Sequence, residues 1–383
     1  MLASSATDHL AGYLQAIQSI GADVGVVRGS FDRERRLPES IFKKLADAGL
    51  FRLWLPVALD GPELGPLDFM RVVEAAAALD GTIGWLVGNG GGMSRVGGYL
   101  PNKTTQPWFQ DTDAFVATST VPAGTATPVE GGYRVNGRWP FGSGSHHATQ
   151  FMGLCNIKAE DGQERPMMCC YFAREKVTIH DTWHVSGLRG TGSCDFEVRD
   201  VFVPSDHAHG FLALHPTQPG LLYRMPTVLV FRWTVATVPL GIARGAITTF
   251  KELVSRKKAA PMAALQRDRE TVQATVGRAE ALHRAGRAFL VEAMTELMAA
   301  THGGGNRLDD AQAVLQLACA HAAESAVHIV DMLAADTGAL AISESCSLER
   351  AVRDAHAAAK HVAMSPNSYI IAGRRLLGLE PLH

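Results

Sequence analysis

Arg353-Asp354-Ala355-His356-Ala357-Ala358-Ala359-Lys360-His361 stands near the C-terminal end of the chain, and its reading decides the rest. The alanines favour helix, an Arg-Asp pair opens the run, and two imidazoles follow. In one continuous helix, the steps from His356 to His361 rotate about 500°, so the two rings face different directions. No carboxylate occurs from Ala355 to Leu379, so proton chemistry in this segment falls to histidine.

Working outward, the helical pattern extends back through alanine-rich segments at 309–335 and 267–300, long enough to pack as an antiparallel bundle. Helical periodicity begins near Thr234. Before it the pattern is of short strands, at 115–119, 133–139, 151–157, 167–172 and 196–203, separated by turn residues. The first ~110 residues read as helices. Ile41, Leu45 and Ala48 recur with helical spacing, Pro38 sits near that helix's start, and Gly49 is placed to end it. The segment 85–99 is also expected to be helical, although Gly88 and Gly90 to Gly92 each cost about 1 kcal/mol there, so close packing or an approaching ligand should compensate. These patterns divide the chain into an N-terminal helical domain (1–112), a central β domain (113–215) and a C-terminal helical bundle (216–383).

The composition is that of an ordinary globular chain: 46% hydrophobic and 19% charged over 383 residues. A formal net charge of −2 supplies no field suited to nucleic acid or an anionic membrane. The only short basic cluster is Arg256-Lys257-Lys258. No apolar run approaches the roughly 20 residues of a membrane span, and no secretion signal is evident, so a cytoplasmic location is expected. The six cysteines lack CxxC spacing and read as reduced, buried thiols; no metal site is expected.

Two segments carry binding chemistry. Trp139-Pro140-Phe141-Gly142-Ser143-Gly144-Ser145 follows a strand and alternates glycine with hydroxyl residues, which lets backbone approach a planar ligand while a hydroxyl presents a hydrogen bond. A plain inter-strand turn would have the same composition. The run from Asp181 to Ser193 adds Trp183, Arg189, three glycines and the hydroxyls of Thr191 and Ser193. Gly88-Asn89-Gly90-Gly91-Gly92 has no preceding strand and is a poor dinucleotide-binding match.

With these motifs the chain resembles the acyl-CoA dehydrogenase superfamily, and within it the oxygenase components of two-component flavin monooxygenases, such as the indole-type oxygenases, p-hydroxyphenylacetate hydroxylase and dibenzothiophene monooxygenase. The matching residues are 139–144, Gly187-Leu188-Arg189-Gly190-Thr191-Gly192-Ser193, the terminal Gly373-Arg374-Arg375-Leu376-Leu377-Gly378-Leu379, and the early Ala48-Gly49-Leu50-Phe51 and Leu55-Pro56. The resemblance implies an α+β chain with the acyl-CoA dehydrogenase-like fold: an N-terminal helical domain, a central β-barrel-like domain and a C-terminal four-helix bundle, assembled as a homotetramer. Where dehydrogenases with a C-terminal base carry glutamate, this chain has Val362, with His361 beside it.

The resemblance further implies a monooxygenase that takes diffusible reduced FMN or FADH2 from a separate flavin reductase and uses O2 as co-substrate. Through a flavin C4a-hydroperoxide it would hydroxylate a small aromatic or heteroaromatic, indole-like molecule. Ser143 and His361 would be catalytic, Ser143 near flavin N5 and His361 controlling a proton. Ser119, Ser143, Trp183, Arg189, Thr191 and Ser193 would hold the flavin; Arg256 and Arg374 would meet its phosphate. Asn89, Met93 and His146 would face substrate. Phenol hydroxylases of this branch carry a histidine after the tryptophan matched by Trp85, but residues 86–99 contain none. That absence argues against a simple phenol and favours the indole type. An N- or S-oxygenase, or an acyl-CoA dehydrogenase with its base elsewhere, are the competing readings.

Overall fold

The computed structural model describes residues 2–158, 166–212, 215–256 and 265–379. Its helices are α1 (Leu2–Glu34), α2 (Glu39–Asp47), α3 (Pro66–Leu79), α4 (Gly81–Met93), α5 (Asn102–Thr105), α6 (Leu221–Arg224), α7 (Thr227–Ala236), α8 (Val238–Arg256), α9 (Glu270–Gly303), α10 (Asn306–Thr337), α11 (Ser347–Ala358) and α12 (Asn367–Leu376). The strands are β1 (Val116–Val129), β2 (Gly132–Gly142), β3 (Gln150–Ile157), β4 (Met168–Ala173), β5 (Thr178–His180), β6 (Cys194–Pro204) and β7 (Ala208–Gly210). The chain forms two compact units: Met1–Phe69, Leu86–Val185 and Arg189–Val230 make the first, and Met70–Trp85, Ser186–Leu188 and Phe231–His383 the second.

In the first unit α2 forms for the reasons its sequence suggests. Ile41, Phe42, Leu45 and Ala46 fall on one face and are buried, Pro38 is the N-cap, and Gly49 leaves the helix at φ +75°. The strands make one seven-stranded sheet in the order β5-β6-β2-β1-β3-β4-β7, so the central domain expected to be barrel-like is a sheet with β5 and β7 at its edges. β1 pairs with β2 antiparallel and with β3 parallel, and its register against β3 shifts between Ser119 and Gly124. Trp139 organises the sheet's interior. Its ring is fully buried and its Nε1 donates to the Leu154 carbonyl at 2.8 Å. A Cβ added at Gly124, Gly137 or Gly153 would stand 2.2, 2.6 or 2.5 Å from that ring, so these positions are glycine to admit the indole.

The glycines at the end of α4 are likewise explained by packing. A Cβ at Gly90 would lie 2.5 Å from the Phe115 ring, and one at Gly91 2.9 Å from the Leu50 carbonyl oxygen. Close approach to protein, not an open wall for ligand, accounts for these two residues. The expected helix over 85–99 ends at Met93 and tightens into a 3-10 turn at Ser94–Gly98.

The second unit is the helical bundle. α8, α9, α10 and α11 pack on one another, and α12 lies on α10. Two helical segments, Thr227–Arg256 and Asn306–Ile342, are long and apolar enough to cross a bilayer, which corrects the expectation that no run approaches that length. Their apolar windows are 72% and 56% buried inside the fold, so the apolar content serves the core. All six cysteines are free and buried.

Gly153→Ala tests the room made for Trp139. Forcing a methyl against that ring is expected to cost about 1–3 kcal/mol, seen as a lower denaturant midpoint with an unchanged slope.

Candidate functional site

In the first unit the two motif segments meet. β2 ends at Gly142, the turn reverses through Ser143 and Gly144 (φ +74°), and the Gly144 N–H donates to the Thr191 carbonyl at 2.8 Å. This juxtaposes three hydroxyls: Ser143 Oγ lies 2.8 Å from Ser193 Oγ, which lies 2.7 Å from Thr191 Oγ1. Ser145 Oγ donates to the Gly192 carbonyl at 2.9 Å and locks the two turns together. Gly192 sits at φ +52°, which favours glycine. All four hydroxyl side chains are buried. Ser119 on β1 is buried too, its Oγ accepting the Val121 N–H at 3.4 Å.

Trp183 lies in the loop that follows β5, half-buried, with its ring edge-on to Phe141 at 6.4 Å and 89°. Phe141 is itself exposed and held at φ +65°, a conformation uncommon for a bulky residue. Arg35 secures this loop from the end of α1, donating to both oxygens of Asp181 at 2.6 and 2.8 Å. Two buried polar atoms, Arg189 Nε and the Oγ1 of Thr118 (next to Ser119 on β1), have no hydrogen-bond partner among the described residues. An unpartnered buried Nε two residues from Thr191, with a buried hydroxyl chain between glycine turns, fits the heteroatom edge of a planar polar cofactor.

The remaining expected residues of this unit behave differently. His146 is exposed, its Nε2 3.6 Å from Cys194 Sγ, and partial burial followed by Arg36 lowers its pKa. Its neighbour His147 is structural: one ring nitrogen meets the Leu37 carbonyl at 2.8 Å and the ring stacks on Phe42 at 4.2 Å. Met93 is buried and Asn89 half-buried on α4.

In the second unit the opening motif resolves into two functions. Arg353 Nη1 donates to the Ser186 carbonyl at 2.9 Å, and Asp354 Oδ1 accepts the Leu188 N–H at 2.6 Å. A Cβ at Gly187 would stand 2.1 Å from the Arg353 carbonyl oxygen, so glycine is required for this approach. Leu188 is held at φ +52°. Asp354 also faces Arg350 at 3.5 Å, and Arg350 Nε lies 3.1 Å from Asp80, all three buried.

α11 ends at Ala358, so the expected helix does not reach His361. His361 instead caps a 3-10 turn at Val362–Met364, its Nδ1 accepting the Ala363 N–H at 3.2 Å. The two histidines do diverge. His356 is exposed and lies 2.8 Å from Asp331, whereas the His361 ring meets Trp85 edge-on at 5.5 Å and 74°. Burial, and after it Arg232, lowers the His361 pKa to about 4. Arg232 donates to the Ala363 carbonyl at 3.0 Å. The sequence reading missed it, although a lone arginine inside the apolar segment Thr227–Ala236 was a usable signal. Arg256 is exposed at the end of α8, and Arg374 half-buried on α12; Lys257 and Lys258 of the expected basic cluster lie outside the described residues.

Comparison with known proteins gives the family of the chain. The models for the acyl-CoA dehydrogenase N-terminal and C-terminal domains match residues 24–97 and 233–366. The oxygenase subunit HsaA of a flavin-dependent monooxygenase from Mycobacterium tuberculosis is 30% identical over 362 residues, 91% of this chain and 90% of that protein. Indole-3-acetate monooxygenase from Pseudomonas putida is 29% identical, covering 92% of this chain and 90% of its own. The crystal structure of 3-HSA hydroxylase from Rhodococcus sp. RHA1 superposes with a TM-score of 0.89 at 26% identity, over 97% of this chain and 98% of that one. The chain belongs to the flavin-dependent monooxygenases of the acyl-CoA dehydrogenase fold. It is an oxygenase component of that family.

The pKa shifts of this monooxygenase predict an acid limit to its stability. Burial is the main cause that lowers His209, His283 and His361 each to about 4. The unfolded chain takes up these protons near 6.5, while the folded chain refuses them until about 4. Stability is therefore fully present above the unfolded value and falls as pH drops through this window. Urea midpoints measured across it should decline with falling pH; replacing His283 by glutamine should flatten the decline.

Proposed function

We propose that this monooxygenase inserts one atom of O2 into a small aromatic or heteroaromatic ring, indole-like in type, using reduced FMN or FADH2 supplied by a separate flavin reductase. The observation that carries this reading is an imidazole in a segment without carboxylates: residues 355–379 hold no acid, and His361 is half-buried with its pKa lowered to about 4, chiefly by desolvation. Removing a proton beside a thioester needs an unprotonated base whose free lone pair faces that proton. Oxygen transfer needs instead a dry pocket and one controlled hydrogen-bonding group.

Reduced flavin, when bound, supplies the electrons that activate O2. The residues' own work is binding, exclusion of water and control of one proton. Ser143, Thr191 and Ser193 offer a buried hydroxyl chain to the polar edge of the ring, with Ser119, Arg189 and Trp183 as its other holders. Arg256 and Arg374 are assigned to the phosphate, in the setting of a homotetramer. Asn89, Met93 and His146 are assigned to substrate. The roles of Ser143 and His361 rest on the resemblance residue by residue. The indole type is supported by the 29% identity to indole-3-acetate monooxygenase and by the absence of histidine from 86–99. A cytoplasmic setting, where reductase and reduced nicotinamide are present, suits this chemistry.

Rapid mixing of the reduced-flavin complex with O2 tests the reaction class. A transient absorption band, distinct from reduced and oxidised flavin, is expected; bleaching of bound oxidised flavin by an acyl-CoA would sink the proposal. Ser143→Ala should shorten the life of that band roughly 2- to 13-fold, the equivalent of one neutral hydrogen bond. His361→Ala should raise the fraction of reduced flavin lost as hydrogen peroxide. Product analysis with a generic flavin reductase, over indoles, phenols, thioethers and amines, then separates ring hydroxylation from N- or S-oxygenation.

A further inference from the structure

We propose that Arg232 is a positioning residue which, through Ala363, presents His361 as a hydrogen-bond donor at Nε2 and not as a base. The proposal deepens the reading above and rests on it only for the claim that His361 serves the reaction.

A backbone N–H can only donate. Because Ala363 N–H points at His361 Nδ1 from 3.2 Å, that nitrogen must carry its lone pair, and the single proton of the neutral ring lies on Nε2. The tautomer is thus set by a donor whose hydrogen is not in question. Ala363 is fully buried, and both its polar backbone atoms are committed: the N–H to His361, the carbonyl to Arg232 Nη1 at 3.0 Å. The His361 N–H donates to Ala358 and its carbonyl accepts from Met364, at 3.1 and 2.9 Å, so the turn is tied at both ends. Trp85 closes one side of the ring.

Protonating His361 would have two consequences. A proton on Nδ1 would confront the Ala363 N–H, donor against donor, and break the contact that shapes the turn. It would also place a second positive charge near Arg232, which has no carboxylate partner among the described residues. The other titratable group facing Arg232 is Cys319, whose thiol burial pushes up to about 12, so it offers no compensating charge. His361 accordingly stays neutral over the whole range in which an ordinary imidazole titrates, about pH 5 to 8. A neutral ring with Nε2–H can steady a developing negative charge. It cannot collect a proton from the substrate without dismantling its own turn.

Nitrogen-15 NMR of the full chain labelled at histidine tests this directly, with the His361 signals assigned by their loss in His361→Gln. The expected result is an unprotonated Nδ1 and a protonated Nε2, unchanged from about pH 5 to 8. A protonated Nδ1, or titration near 6.5 in the unaltered protein, would overturn the proposal. Arg232→Met should let His361 exchange tautomers and titrate upward from about 4 toward 6.5, and Arg232→Lys, which keeps charge and donor, should restore the original spectrum. A spectrum in Arg232→Met identical to the parent's would remove Arg232 from the argument. Flavin coupling in His361→Ala is read separately: unchanged coupling there would refute the reaction role of His361 while leaving the tautomer result standing.

Discussion

A single buried carboxylate organises much of the second unit. Asp354 spends one oxygen on the Leu188 N–H and turns the other toward Arg350, which is shared with Asp80. Buried charges of this kind add little net stability over an apolar replacement, because desolvation offsets attraction, but removing one partner leaves a charge stranded at a cost of about 3–5 kcal/mol. The arrangement therefore acts as a constraint of register. It requires α11 to meet the segment Ser186–Leu188 in one position, with Gly187 against the Arg353 backbone and Leu188 in the left-handed region. The Arg-Asp pair near the C-terminus and the glycine loop in mid-chain are two halves of one contact.

Much of the architecture could be read from local signals because those signals were of the strong kind. Pro38, the apolar face of α2 and Gly49 each have a direct physical cause, and each appears where expected. Period-two patterns located the strands, with ends that extend once pairing is satisfied: β1 runs on to Val129 because it pairs with both β2 and β3. What could not be read was which neighbour a glycine was making room for. Gly90 and Gly91 could have answered to packing or to a ligand and are closed by Phe115 and Leu50, while Trp139, in a motif that looked ligand-facing, is core. In both cases the deciding atom is distant in sequence.

The candidate site shows the same division. The hydroxyls of Ser143, Thr191 and Ser193 were recognisable by type and family, and they do come together. The environment of His361 was not recognisable. Alanine-rich sequence suggested that the helix would carry it, yet α11 ends at Ala358, where the last helical carbonyls are taken by the Ala359, Lys360 and His361 N–H groups in a tightening turn. Helical geometry was the wrong basis for expecting His356 and His361 to diverge. They diverge because one remains on the helix beside Asp331 and the other has left it.

That departure changes what an imidazole at this position means. On a helix surface, histidine is a group whose charge follows the solvent pH, and exchanging it for glutamate would merely shift the working range. At the head of a 3-10 turn, with Nδ1 occupied by backbone and Arg232 beyond, it behaves as a fixed dipole whose polarity the main chain has chosen. With the Ala363 N–H on Nδ1 and Arg232 beyond it on the Ala363 carbonyl, the ring is kept neutral and left with only a proton to offer. Where dehydrogenases with a C-terminal base carry glutamate this chain has Val362, so the imidazole beside it is presented from its own place at the head of the turn, with its polarity set by the Ala363 N–H.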